Sequence, residues 1–282
     1  MPASFSLHAA GSNARGQLAT GNRNDALRFT PTIFFGCQPG ALPPDVAAID
    51  HIACGANHTL ALLRMRDGTT HIWAAGDGSR GQLGPSYLAD IEHAGEDASA
   101  VFRPLRLDLR ASGVLDDPAL DQCTVRFVAA GWETSYVVFS RPARDDVLLA
   151  MGADDFGNLA TGGSRGAKQP LHIVRLRDAI PHQHTDRLLS ILALTAGPHH
   201  TLVHVRLGLQ DGPHSTHILG WGTARHGQLG PIPGRPPTFV SSRASSPPIP
   251  TTSPKSPSGT NTRSSSTPPG PSSRSAQTAR PS

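Results

Sequence analysis

Gly76-Asp77-Gly78-Ser79-Arg80-Gly81-Gln82-Leu83 is one of four copies of a single motif: glycine, four variable residues, a second glycine, Gln or Asn, then Leu. The other copies occupy residues 11–18, 152–159 and 222–229, and successive copies begin 65, 76 and 70 residues apart. A repeat of this length is a supersecondary unit used several times. It therefore indicates a repeat protein, a class that usually binds partners through its loops.

A second motif runs in phase with the first. Residues 52–62, which contain Ala53-Cys54-Gly55-Ala56-Asn57-His58-Thr59, recur in modified form at 128–138 and 194–204. Short apolar runs with β-branched residues follow each copy, and a third marker is a proline before a short strand-like segment, at Pro31, Pro104, Pro170 and Pro237. Such runs, bounded by glycine, predict short strands rather than helices. Four antiparallel strands per repeat are typical of a β-propeller blade.

Eleven glycines are expected to be structural, at junctions between strands and turns where a β-carbon is excluded. They are Gly11, Gly16, Gly55, Gly76, Gly81, Gly131, Gly152, Gly157, Gly197, Gly222 and Gly227. The first motif is spaced like a phosphate-binding loop, but it ends in Gln-Leu and lacks the Lys-Ser/Thr that such a loop needs. We therefore interpret it as a turn followed by a core leucine.

Together these motifs closely resemble the regulator-of-chromosome-condensation repeat family. The resemblance rests on Ala10-Gly11-Ser12-Asn13 with Gly16-Gln17-Leu18, on Ala53-Cys54-Gly55 with His58-Thr59, and on their recurrence in register over residues 5 to about 240. It implies an all-β propeller. Family members form seven blades, and about three and a third repeats are present here.

Composition divides the chain into two expected domains, an incomplete propeller over residues 5–240 and a disordered basic tail over 241–282. The tail holds 14 Ser, 9 Pro, 6 Thr and five basic residues with no acid, so it cannot bury enough apolar surface to fold. It is interpreted either as a natural low-complexity segment or as the product of a truncated gene model. An incomplete propeller leaves open strand edges, so the 282-residue chain is expected to dissolve poorly or to associate.

The whole chain carries a net charge of +4, which leaves residues 1–240 at −1. We therefore do not expect the folded part to bind nucleic acid. Cys37, Cys54 and Cys123 lack paired spacing, and the N-terminus lacks the pattern of a signal peptide. We expect a cytoplasmic or nuclear protein with no membrane segment.

Catalysis, metal binding and cofactor binding are not expected. His58 and His200 occupy one repeat position, where the middle repeat has Thr134, and this exchange favours a side chain that hydrogen bonds the turn. His199 and His200 are adjacent and cannot easily share one metal. Cys54 has alanine at its counterparts, which favours a small buried residue. The sequence therefore predicts no enzyme and no cofactor.

Candidate partner-binding residues lie on the loops, because variable loop positions on a repeated scaffold usually carry recognition. They are Trp132, Glu133, Arg15, Arg80, Phe156 and His226. Trp132 is interpreted either as an exposed binding anchor or as a cover for a neighbouring blade. The acidic insert at residues 86–122 is a partner-binding element or a solvated loop. Trp73 and Trp221 are expected in the core.

The layout, with repeats opening almost at the N-terminus, is similar to compact fungal members of the family of the alpha-tubulin-suppressor or killer-toxin-insensitivity type. The resemblance implies a non-catalytic scaffold with a small zinc protein as partner, supporting diphthamide synthesis and wobble-uridine modification of transfer RNA. The alternative is a guanine-nucleotide exchange factor for a small GTPase, as in the founding family member.

Overall fold

The computed structural model describes residues 6–110, 123–161, 170–180, 187–208, 213–230 and 239–245. Of the tail expected over 241–282, residues 246–282 lie outside this described part. The last described strand runs to Ser245 and so crosses the boundary expected at residue 240. No helix in the described ranges is both long enough and apolar enough to cross a membrane.

The described chain forms one two-stranded and three four-stranded antiparallel sheets. The two-stranded sheet pairs β1 (His8–Gly11) with β2 (Ala26–Pro31). Blade 1 contains β3 (Val46–Cys54), β4 (His58–Met65), β5 (Thr70–Gly76) and β6 (Arg103–Pro104). Blade 2 contains β7 (Thr124–Ala130), β8 (Thr134–Ser140), β9 (Val147–Gly152) and β10 (His172–Ile173). Blade 3 contains β11 (Leu188–Ala196), β12 (His200–Gly208), β13 (His214–Thr223) and β14 (Phe239–Ser245).

The three blades stand side by side as in a β-propeller. Strands follow one another in chain order within each blade, and β7 contacts both β3 and β11, the first strands of the neighbouring blades. The predicted all-β fold of propeller blades is therefore confirmed. The 52–62, 128–138 and 194–204 segments each form a strand, a tight turn and a second strand.

The core lies between the blades, so β4 and β8 are buried on both faces, whereas β12 of blade 3 is buried mainly on one. Leu60 and Leu62 point to one side of β4 and pack with blade 2, as the period-two pattern predicts. Ala61 and Leu63 point to the other side and join a separate cluster with Trp73. Trp221 is fully buried between blades 2 and 3, which together with Trp73 confirms the expected core tryptophans.

The insert contains a helix that the sequence pattern does not predict. Helix α1 spans Gly84–Glu92, and a 3₁₀ turn follows at Glu96–Ala100. Pro85 lies in the first turn of α1, where a missing N–H costs nothing. Tyr87 is buried against blade 1, and its hydroxyl donates a hydrogen bond of 3.2 Å to the Gly76 carbonyl. The first part of the insert is thus packed structure, and residues 111–122 lie outside the described residues.

Gly76 illustrates why the first motif begins with glycine. It ends β5 with a φ of +100°, and a β-carbon there would lie 2.3 Å from the Asn57 carbonyl oxygen. Gly152 and Gly222 repeat this arrangement against the carbonyls of Glu133 and His199. The loop after each glycine therefore lies directly against the preceding hairpin turn of the same blade.

Candidate binding face at the hairpin turns

Three hairpin turns and the loops packed against them form one end of the blades, which we call the turn face. The turns are residues 55–57, 131–133 and 197–199, and the loops are 77–80, 153–156 and 223–226. In each blade the residue after the first-motif glycine donates a backbone hydrogen bond to the turn. These bonds are Asp77 to Asn57 at 2.7 Å, Ala153 to Glu133 at 2.9 Å and Thr223 to His199 at 2.7 Å.

Backbone hydrogen bonds also join the turns of successive blades. Ala56 donates to the Trp132 carbonyl at 3.1 Å, and Trp132 donates to the Pro198 carbonyl at 2.9 Å. The turns enclose a pocket of about 220 Å³, lined by their small residues together with Trp132 and Pro198. Cys54 lies at this pocket and is exposed, so the expectation that it is a small buried residue is wrong. The turn after β3 leaves it at the strand end, beyond the interblade core.

Arg80 links blade 1 to blade 2 through two carboxylates. Its Nε lies 3.1 Å from Glu133 Oε2, and its Nη2 lies 2.7 Å from Asp155 Oδ2. Because these side chains are largely solvated, the pairs contribute little to folding. Arg15 makes a similar but longer contact, with its Nε 3.9 Å from Asp77 Oδ2.

The aromatic residues of the turn face meet at His199. Its ring centroid lies 4.2 Å from that of Phe156 and 5.7 Å from that of Trp132. Trp132 remains 50% exposed. It thus combines both interpretations of the sequence, since it contacts a residue of the next blade and also presents a large apolar surface to solvent.

The variable loop residues also form contacts between blades, which the sequence does not reveal. Arg15, Arg80 and Phe156 each reach a residue of the following blade. His226, in blade 3, shows only a backbone N–H donated to Gln228 Oε1 at 2.8 Å. The counterparts Asp155 and His199 were not predicted, although His199 lies in the repeat position equivalent to Glu133. A comparison of the loop residues of each repeat with the turn and loop residues of the next could have paired Arg80 with Asp155 and Phe156 with His199.

His58 forms a buried contact between blades 1 and 2. Its Nε2 shares a hydrogen bond of 2.9 Å with Ser135 Oγ, and both side chains are fully buried. Burial lowers the pKa of His58 from 6.5 to about 4, and the charge of Asp77 opposes this shift only weakly. The His58 Nδ1 has no hydrogen-bond partner among the described residues, so Asp77 does not complete a Ser-His-Asp triad. A substrate would have no access to Ser135.

The equivalent positions in the other blades serve different contacts. Thr134 donates a hydrogen bond of 2.9 Å to the Ala153 carbonyl, within the loop that follows Gly152, as expected for a side chain that bonds the turn. His200 is half-buried, and burial followed by the charge of His199 lowers its pKa. Across the described ranges, His, Cys, Asp and Glu side chains form no group of three that could hold a metal.

The opposite end of the blades contains an ionic clamp between blades 2 and 3. Arg177 donates to both carboxylate oxygens of Asp145, at 2.6 and 2.7 Å, and Asp145 accepts the Leu189 N–H at 2.9 Å. Burial alone would raise the pKa of Asp145, but these hydrogen bonds lower it. Asp146 likewise accepts the Ile191 N–H at 2.7 Å. Asp145 and Asp146, in the turn between β8 and β9, thus hold β11 of blade 3 against blade 2.

The geometry defines a β-propeller repeat protein with one face built from hairpin turns and loops. Models of the regulator of chromosome condensation (RCC1) repeat match residues 6–62 and 49–82. Residues 6–82 therefore carry RCC1-type repeats, and the resemblance inferred from the motifs is confirmed.

Two individual proteins are similar to the chain. An RCC1 repeat-containing protein of Schizosaccharomyces pombe is 28% identical over 222 residues, which cover 79% of this chain and 50% of the relative. The chain thus spans about half the length of this curated relative. The crystal structure of human WBSCR16 is similar with a TM-score of 0.48 and 16% identity, covering 86% of this chain and 66% of that one.

Proposed function

We propose that the chain is a non-catalytic protein-interaction scaffold that holds its partner on the turn face. The observation that carries this proposal is the half-exposed Trp132, which stands at the rim of the pocket between the three turns. Tryptophan is enriched among residues that dominate binding energy, particularly when it adjoins a pocket. Aromatic residues, tryptophan among them, are enriched at protein interfaces relative to the rest of the surface.

The backbone around Trp132 supports the proposal. Both its N–H and its carbonyl are engaged, with Pro198 and Ala56 respectively, so its position is fixed by two neighbouring blades. A site on a rigid scaffold loses little conformational entropy when a partner binds. The burial of Ser135 and His58 favours a scaffold over a hydrolase, because neither group is accessible to a substrate.

The finer proposal follows from the family resemblance. The partner would be a small zinc protein, and the pair would support wobble-uridine modification of transfer RNA and diphthamide synthesis in the cytoplasm or nucleus. The alternative proposal is guanine-nucleotide exchange on a small GTPase. The identity of the bound partner separates the two, since one contains zinc and the other binds guanine nucleotide.

Replacing Trp132 by alanine should reduce partner capture at least tenfold, because loss of a hot-spot side chain costs about 2 kcal/mol or more. The measurement is affinity capture from extract, followed by quantification of each retained protein and of its zinc or guanine nucleotide. The matched control is Leu27→Ala, which removes another exposed apolar side chain, on β2 and outside the turns and loops that define the turn face. Equal capture by wild type and Trp132→Ala, or an equal loss of capture with Leu27→Ala, would show that the partner does not bind through Trp132 on the turn face.

A further inference from the structure

The turn face has a chemical polarity that narrows the class of partner. Glu133 directly follows Trp132 in the chain, and Asp155 directly precedes Phe156. One guanidinium, that of Arg80, lies between the two carboxylates. The four-residue surface formed by Trp132, Glu133, Asp155 and Arg80, here named the acidic ledge, therefore carries one uncompensated negative charge.

The acidic ledge has unused capacity to bind cations. The Asp155 side chain is 60% exposed, and only one of its oxygens bonds Arg80. The indole of Trp132 is half exposed, and its tilted contact with His199, with ring centroids 5.7 Å apart, leaves surface for a second ring or cation. A guanidinium or ammonium over a tryptophan face gains about 0.5–2 kcal/mol, and more when a carboxylate stands beside it.

Arg80 already lies between the carboxylates of Glu133 and Asp155, but it competes only weakly with a second cation for them. Its side chain is 48% exposed, and solvated pairs of this kind are worth at most about 1 kcal/mol. A second cation can therefore share the carboxylates or displace Arg80 at small cost. An acidic partner would gain little from Arg80, because the Arg80 N–H donors are directed at Glu133 and Asp155 rather than towards solvent.

The size and lining of the adjoining pocket indicate what kind of group of the partner can enter it. Its volume of about 220 Å³ is below the 300–1,000 Å³ typical of small-molecule sites. Its lining of alanine, glycine, proline and indole is apolar. It suits one apolar side chain better than a cofactor.

We propose that the turn face binds a basic peptide segment of its partner. In this arrangement a Lys or Arg of the segment stacks on Trp132 and pairs with Glu133 or Asp155, and a neighbouring apolar side chain enters the pocket. This proposal rests on the proposed scaffold function and adds the chemistry of the segment. It needs no catalytic step.

The test uses a fluorescently labelled peptide with the sequence Gly-Leu-Arg-Gly-Arg-Leu-Gly and a matched peptide in which both arginines are glutamate. Fluorescence polarisation with the 282-residue chain should show the basic peptide binding at least tenfold more tightly, with affinity falling as salt rises. Trp132→Ala should abolish this binding. Equal or tighter binding of the glutamate peptide, or no binding of either, would overturn the proposal.

Charge variants separate the ledge from the net charge of the protein. Glu133→Gln and Asp155→Asn should each weaken binding of the basic peptide about threefold or more. Asp90→Asn makes the same charge change on the exposed side of α1 and should leave binding unchanged. A loss of the same size with Asp90→Asn would show a general electrostatic effect and no site.

A measurement without any peptide reports the polarity of the ledge. Trp73 and Trp221 are buried, so dissolved quenchers act mainly on Trp132. With each quenching constant divided by that of free N-acetyltryptophanamide, caesium should quench tryptophan emission relatively more strongly than iodide at equal ionic strength, and Glu133→Gln should reduce the difference. Relatively stronger quenching by iodide would show that the surface around Trp132 is not acidic, and it would contradict the basic-peptide proposal. It would not contradict the scaffold proposal, which depends on the loss of partner capture in Trp132→Ala.

Discussion

Replacement of Gly76 by alanine is expected to lower the free energy of unfolding by about 3 kcal/mol. Two costs combine at this position. The φ of +100° is unfavourable for any residue with a β-carbon, at about 1–3 kcal/mol. The new atom would also lie 2.3 Å from the Asn57 carbonyl oxygen and 2.8 Å from His58 Cα, so the backbone must move at a further 1–3 kcal/mol or so.

Gly11 provides the matched control, because it begins another copy of the same motif. Its φ is +124°, but a β-carbon there would meet nothing within 4 Å. Gly11→Ala should therefore cost only the conformational part, roughly 1–2 kcal/mol. Chemical denaturation of both variants measures the difference. Equal losses would show that the loop after Gly76 does not press against the hairpin turn.

Acidification should destabilise the protein through His58 by about 3 kcal/mol between pH 7 and pH 4. The pKa of His58 is about 4 in the folded chain and returns to its ordinary 6.5 on unfolding. As the pH falls below 6.5 the unfolded state binds a proton first, so the stability present above pH 6.5 is lost progressively down to pH 4. The cause is burial, which disfavours the charged imidazolium.

His58→Gln isolates this effect from other titrating groups. Glutamine retains a polar group towards Ser135 but has no proton to gain, so the variant should start less stable at pH 7 and lose less on acidification. The stability difference between wild type and variant should shrink by about 3 kcal/mol from pH 7 to pH 4. A difference that stays constant across this range would show that His58 is not buried as a neutral side chain.

Much of the fold is predictable from local pattern. The glycines of the first motif and the alternation in Leu60 and Leu62 reflect backbone geometry and strand period, which are properties of short segments. Helix α1 was missed because it lies in an insert where the repeat pattern is interrupted. Its stability depends on Tyr87 packing against blade 1, a tertiary contact that no local pattern records.

The residues of the candidate site were mostly predicted from the sequence, but the contacts between them were not. Trp132, Glu133, Arg80 and Phe156 were identified because they vary between repeats. Their contacts depend on how one blade lies against the next, which brings Arg80 to Asp155 and Phe156 to His199. Sequence position alone places these partners in separate repeats. The exposure of Cys54 has the same origin, since it depends on where the turns diverge around the pocket.

Hydrogen–deuterium exchange with and without the captured partner tests the central claim, that the turn face is the binding surface. The account predicts slower exchange in residues 54–57, 131–133 and 197–199, together with the loops that carry Arg80 and Phe156. The turns at 66–69 and 141–146 lie at the other end of the strands and should exchange unchanged. Protection confined to those opposite turns, with the turn face unaffected, would contradict the account.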